Sequence, residues 1–94
     1  MTPQVTAQKT AKVTMYSSSL CGYCFRAKRL LDSKGVAYKV ISVDGRSDVR
    51  QQMMQLTGGY TVPQIIINGS AIGGCDELHM LERQHKLDPL LAAS

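Results

Sequence analysis

The Asn68-Gly69 pair, set between Pro63-Gln64-Ile65-Ile66-Ile67 and Ser70-Ala71-Ile72, constrains the fold more than any other stretch of this chain. Asparagine followed by glycine is a favoured two-residue hairpin turn, so the two runs are antiparallel neighbours. Upstream the pattern changes. Lys12 to Ser17 reads as a strand in which Val13 and Met15 alternate with Thr14 and Tyr16. From Gly22 to Lys34 the period becomes helical, with Cys24, Ala27, Leu30 and Leu31 on one face and Gly35 as a stop. Val36 to Val43 is rich in β-branched residues and ends at the turn signal Asp44-Gly45. Strand, helix and strand in that order make a parallel pair with a right-handed crossover. A sheet holding both kinds of pair is mixed.

A second helix is expected from Ser47 or Asp48, either of which can cap it, with Val49, Met53 and Leu56 at helical spacing and Thr57-Gly58-Gly59 as its end. After the hairpin, Gly73-Gly74 breaks the strand. Cys75 or Asp76 then opens a third helix carrying Leu78, Met80 and Leu81. Asp88-Pro89 reads as a cap and first helical residue for a short last helix through Leu90 and Leu91. The expected class is α/β: a four-stranded mixed sheet, βαβ then ββα, flanked by helices. At 94 residues the chain has room for one core, so 12–94 forms a single domain behind a polar leader, 1–11.

With 44% hydrophobic and 19% charged residues, the composition is that of an ordinary globular protein. The net charge of +4 is spread along the chain, with only Arg26, Lys28 and Arg29 clustered, and there is no Trp and one Phe. Nucleic acid is therefore not an expected partner, whereas small anionic molecules are. No run approaches the roughly 20 apolar residues needed to span a bilayer, and the first dozen residues lack the apolar core of a secretory signal. A cytoplasmic protein is expected. Three cysteines cannot close a framework of disulfides within one chain, so Cys21 and Cys24 point to redox or metal chemistry.

The Cys21-Gly22-Tyr23-Cys24 motif falls where the first strand meets the first helix. Unpaired N–H groups and the positive end of the helix dipole face a sulfur placed there, which favours thiolate and a lowered pKa. Cys21 is the predicted nucleophile. Cys24, one turn on and on the more buried side, is the predicted resolving thiol. The competing readings are an inert buried pair or half of a zinc site completed by Cys75 and His79. Full strands and helices with a core of their own argue against zinc, and His79 and His85 are expected to be exposed helix residues. At Thr61-Val62-Pro63 the proline biases Val62 toward extended backbone, so the segment either pairs with a peptide or simply starts a strand. At Gly73-Gly74-Cys75-Asp76, glycines admit close approach, a fresh helix start offers N–H groups, and Asp76 can accept from an α-ammonium group. The same residues also suit plain capping by Asp76 and packing by Cys75.

Taken together, Cys21-Gly22-Tyr23-Cys24, Thr61-Val62-Pro63-Gln64 and Gly73-Gly74-Cys75-Asp76-Glu77-Leu78 resemble the glutaredoxin family, over about Lys12 to Leu91. The resemblance implies a thioredoxin fold, a cis peptide at Val62-Pro63, and glutathione as reductant and co-substrate lying across all three segments. By position, Tyr23 flanks the reactive sulfur and Val62 pairs with the cysteinyl backbone of glutathione. Cys75 and Asp76 hold its γ-glutamyl end, and Thr61, Pro63 and Gly74 line the groove. The implied activity is reduction of protein disulfides and glutathione mixed disulfides by a monomer, with glutathionylated or disulfide-containing proteins as partners. No metal is expected in that activity.

Two residues depart from the family pattern: Gly22 stands where many members have proline, and Ser18 where they have a lysine near the glycyl carboxylate of glutathione. Arg50 is a candidate to replace that cation. Members without the proline resemble scaffolds that hold a [2Fe–2S] cluster between two subunits through Cys21 and bound glutathione, which is the alternative reading. A zinc-binding module ranks third.

Overall fold

Asn68 and Gly69 take φ of 52° and 85°, the left-handed region that the hairpin turn requires. They join β3 (Gln64–Ile67) to β4 (Ser70–Gly73) as an antiparallel pair. Upstream, β1 (Val13–Ser17), α1 (Gly22–Ser33) and β2 (Lys39–Ser42) form the expected parallel unit. The remaining helices are α2 (Ser47–Thr57), α3 (Cys75–Arg83) and α4 (Leu87–Ala92). β1 also pairs antiparallel with β3, so the sheet order is β2-β1-β3-β4. This is the thioredoxin fold. The computed structural model describes residues 11–92. The polar leader lies outside them except for Ala11, which is buried and donates its N–H to the Leu91 carbonyl at 3.0 Å.

Each face of the sheet is covered by a different set of helices. The larger core joins Val13, Met15, Ile65 and Ile67 of the sheet to Ala27 and Leu31 of α1, Leu78 of α3, and Leu87 and Leu91 of α4. Full burial of the Val, Leu, Ile and Met side chains among them contributes about 1.5–3 kcal/mol each. The smaller core sets Tyr16 and Val43 against Val49 and Met53 of α2. Tyr16, which alternation places opposite the apolar face, is therefore 3% exposed. Both faces of β1 are buried. Lys34, just past α1, binds Glu82 at 2.7 Å and Asp88 at 3.0 Å, which ties α1 to α3 and α4 and raises the lysine pKa, chiefly through Glu82.

Several predicted boundaries move. β2 spans only Lys39–Ser42 rather than Val36 to Val43, because β1 offers it four partners, Thr14 to Ser17. Val36 is buried in the larger core without joining the sheet. Neither Ser47 nor Asp48 caps α2: Arg46 occupies that position with no side-chain cap bond, and Ser47 is the first helical residue. Leu56 and Met80, at helical spacing but turned outward, are 57% and 48% exposed. α4 starts at Leu87, ahead of the expected Asp88 cap, because Leu87 and Leu91, one turn apart, are both fully buried. Asp88 is engaged with Lys34 instead.

Candidate functional site

The loop after β1 delivers Cys21 to the N-cap of α1, where its backbone is extended, φ −135° and ψ 106°. Its Sγ accepts a hydrogen bond from the Cys24 N–H at 3.1 Å. The sulfur thus fills the place that a serine or aspartate oxygen usually takes at a helix start. The loop itself is fastened by Asp44, whose carboxylate accepts from the Ser18 hydroxyl at 2.6 Å and from the Ser19 N–H at 2.9 Å. These bonds lower the Asp44 pKa. Ser18 therefore faces an acid at the position where the resembled family has a cation. On the other side, the Cys21 thiol lies 3.7 Å from the Val62 carbonyl, as a donor, and the Val62-Pro63 peptide is cis.

All three cysteines are free thiols. Cys21 is half-buried and Cys24 is 1% exposed, so the pair consists of one accessible sulfur and one enclosed sulfur. Burial pushes the Cys21 thiol above its ordinary pKa and the Cys24 thiol adds to the rise, while the N–H groups of Cys24 and Tyr23 pull it down. The depressed pKa expected from the helix start is reversed. The amides act in the expected direction, but in the reduced pair desolvation and the second thiol outweigh them.

Beside Cys21 runs a groove of about 430 Å³ lined by Tyr23, Thr61, Val62, Pro63, Gly74, Cys75, Asp76 and Glu77. The fold therefore brings together all seven residues that the sequence proposes as a binding site, from α1, the loop before β3 and the start of α3. Gly74 lies so close to the loop that an added Cβ would sit 3.1 Å from the Pro63 carbonyl oxygen. Glu77 is the residue sequence reasoning missed: its carboxylate accepts from the Gly74 N–H at 2.8 Å. The signal that could have found it is its place three residues after the helix cap, where a glutamate reaches back to the cap N–H. Gly74, not Asp76, is the cap, and Asp76 is exposed in the first turn.

Cys75 is 3% exposed, and burial raises its pKa against the pull of Arg26. His79, expected to be exposed, is half-buried, with Nδ1 2.9 Å from the Cys75 carbonyl oxygen and 3.4 Å from its Sγ. Among the described residues no three His, Cys, Asp or Glu side chains are placed to hold a metal ion. Arg50 donates to the Tyr60 carbonyl at 2.7 Å and so braces the segment entering Thr61.

Residues 13–72 match the glutaredoxin family model. A glutaredoxin of Pseudomonas aeruginosa is 48% identical over 81 residues, covering 86% of this chain and 96% of that protein. Glutaredoxin 3 of Escherichia coli K12 is 47% identical over 81 residues, covering 86% and 98%. Among solved structures, a buckwheat glutaredoxin–glutathione complex superposes with a TM-score of 0.79 at 37% identity, over 94% of this chain and 82% of that one. A Brucella melitensis glutaredoxin gives 0.79 at 39% identity, over 90% and 92%. Motif, fold and similarity converge: the chain belongs to the glutaredoxin family of thiol–disulfide oxidoreductases.

Proposed function

We propose that this protein reduces glutathione mixed disulfides and protein disulfides with glutathione as the electron donor. The single observation that carries this reading is the accessible Cys21 sulfur, capping α1 at the edge of the 430 Å³ groove, with Cys24 enclosed behind it. Glutathione lies in that groove. Val62 pairs with its cysteinyl backbone, Tyr23, Thr61, Pro63 and Gly74 form the walls, and Cys75 and Asp76 receive the γ-glutamyl end. The buckwheat relative, a glutaredoxin–glutathione complex, supports glutathione as the ligand.

In the first step the Cys21 thiolate attacks the glutathionyl sulfur of a mixed disulfide. The S–S bond breaks, and the protein thiolate leaves and takes up a proton. The N–H of Cys24, 3.1 Å from Cys21 Sγ, stabilises the thiolate whenever it forms. In the glutathione route a glutathione thiolate then attacks the glutathionyl sulfur on Cys21, releasing glutathione disulfide and the Cys21 thiolate. In the dithiol route the Cys21 thiolate attacks one sulfur of a protein disulfide, and the other protein sulfur leaves as a thiolate and takes up a proton. The deprotonated Cys24 then attacks Cys21, expels the second protein thiol and closes Cys21–Cys24, which two glutathiones reopen with release of glutathione disulfide. A family potential of about −200 to −230 mV lets glutathione recycle the enzyme.

The working form is a monomer in a reducing cytoplasm. Among the described residues no helix is long and apolar enough to cross a membrane. The cluster reading needs four soft ligands, whereas one protomer offers a single accessible thiol, Cys21. It requires a second subunit and glutathione, and a colourless monomer after anaerobic reconstitution with iron, sulfide and glutathione would remove it. For the reductase, the decisive comparison is Cys21→Ser against Cys24→Ser on a glutathionylated substrate in a glutathione-coupled assay. Loss of turnover only in Cys21→Ser is expected. Full activity of Cys21→Ser would overturn the assignment, and loss in both variants would make the dithiol route obligatory.

A further inference from the structure

Sharing Tyr23 with the groove, the first turns of α1 and the preceding Leu20 build a second surface next to Cys21. Leu20 is 97% exposed, Phe25 60% and Tyr23 58%. Large apolar side chains left this open beside a reactive sulfur mark a place for a partner. A hollow of about 480 Å³ lies there, lined by Gly22, Tyr23, Phe25 and Arg26. Arg26, one of its lining residues, stands over the Tyr23 ring, and Arg29 stands over the ring of Phe25, each guanidinium 5.9 Å from the ring centroid. The stacked residues are three and four positions apart, the spacings at which helical side chains meet. Stacking orients each cation without neutralising it. Among the described residues the ion pairs join Lys34 to Glu82 and Asp88 and Arg46 to Asp48, and none uses Arg26 or Arg29. The first turn of α1 holds no acid.

We propose that this face docks the protein side of a disulfide substrate, taking an apolar side chain next to the target cysteine into the hollow and carboxylates a little further along onto Arg26 and Arg29. The proposal rests on the oxidoreductase reading above and names the partner that reading leaves open. Charge complementarity carries the choice of occupant, since two oriented cations beside an apolar hollow fit an acidic, apolar peptide. The register follows from helix geometry. Arg26 and Arg29 lie five and eight residues beyond Cys21, or about 7.5 and 12 Å along the axis. An extended peptide rises about 3.3 Å per residue, so carboxylates fall at roughly the second to fourth residue from the target cysteine.

The test uses the full chain and two S-glutathionylated peptides, one built around Cys-Leu-Glu-Ala-Glu and the other around Cys-Leu-Lys-Ala-Lys. The mixed disulfide of glutathione with 2-mercaptoethanol serves as a reference substrate that does not reach the hollow. The expected kcat/KM favours the acidic peptide by about tenfold at low salt, a preference that shrinks as salt rises. The double substitution Arg26→Glu with Arg29→Glu is expected to invert the ratio of the two peptides, each rate taken relative to that of the same variant on the small substrate. Equal rates for the two peptides, or a preference that survives the double substitution, would overturn the proposal. Absence of turnover on the small disulfide would instead remove the oxidoreductase reading beneath it.

Discussion

Two helix starts line the same groove and are built in opposite ways. α1 begins with a cysteine as its cap and has no acid in its first turn, so its free N–H groups are left to a sulfur. α3 begins with a glycine cap followed by Asp76 and Glu77, and Glu77 already satisfies the Gly74 N–H. The first end is open to negative charge, as a helix dipole favours. The second is partly filled by its own carboxylates, Asp76 and Glu77.

The sharpest way to break this contrast is Gly74→Ala. Its Cβ would meet the Pro63 carbonyl at 3.1 Å, a backbone atom that cannot swing aside. A loss of about 1–3 kcal/mol in urea unfolding, with a raised KM for glutathione, is expected. An unchanged midpoint and KM would mean that this contact does not set the width of the groove. Next in size is Glu77→Ala, which frees the Gly74 N–H. The KM for glutathione should rise about fivefold with kcat nearly constant, the pattern of lost uniform binding. Glu77→Gln should restore most of it, because an amide oxygen still accepts; failure of that rescue would make the charge, not the hydrogen bond, the working feature.

At the α1 end, pH separates the competing influences on Cys21. Thiolate is the reactive form, so a raised pKa means that alkylation by iodoacetamide climbs with pH to a midpoint above the ordinary thiol value. Cys24→Ser removes the thiol that adds to the rise and should move the midpoint down. No movement would leave burial alone as the cause. The smallest expected effect is that of Gly22→Pro. A Cβ at Gly22 meets nothing within 4 Å, and Cys21 is already extended, as a residue before proline prefers. Proline at the first helical position should add about 0.4–1 kcal/mol to stability. A fall in Tm would show that the glycine answers a constraint at this turn.

Local patterns carried much of this site. Cys21 and Cys24 stand at a strand-to-helix junction that their neighbours announce, and Asn68-Gly69 defines the hairpin by its own backbone preferences. Glu77 was legible in principle, as a glutamate three residues past a cap, yet its use depends on Gly74 rather than Asp76 taking the cap. Tyr16 illustrates the opposite case. Alternation puts it on the face away from Val13 and Met15, and only the packing of α2 on that side buries it. The Cys21 pKa failed for a related reason, because the helix start is visible locally while desolvation and the nearby Cys24 sulfur are properties of the packed site.

By itself, then, the amino-acid order determined the element sequence, the hairpin, the place of the two thiols and the family. These rest on backbone preferences and side-chain periodicities that act over a few residues. Tertiary structure alone decided that Glu77 joins the groove, that Tyr16 is buried under α2, and that desolvation raises the Cys21 pKa. It also decided that α4 starts where Leu87 can be buried. Those outcomes depend on which surfaces meet across the sheet, and burial and long-range contact exist only once the chain has closed.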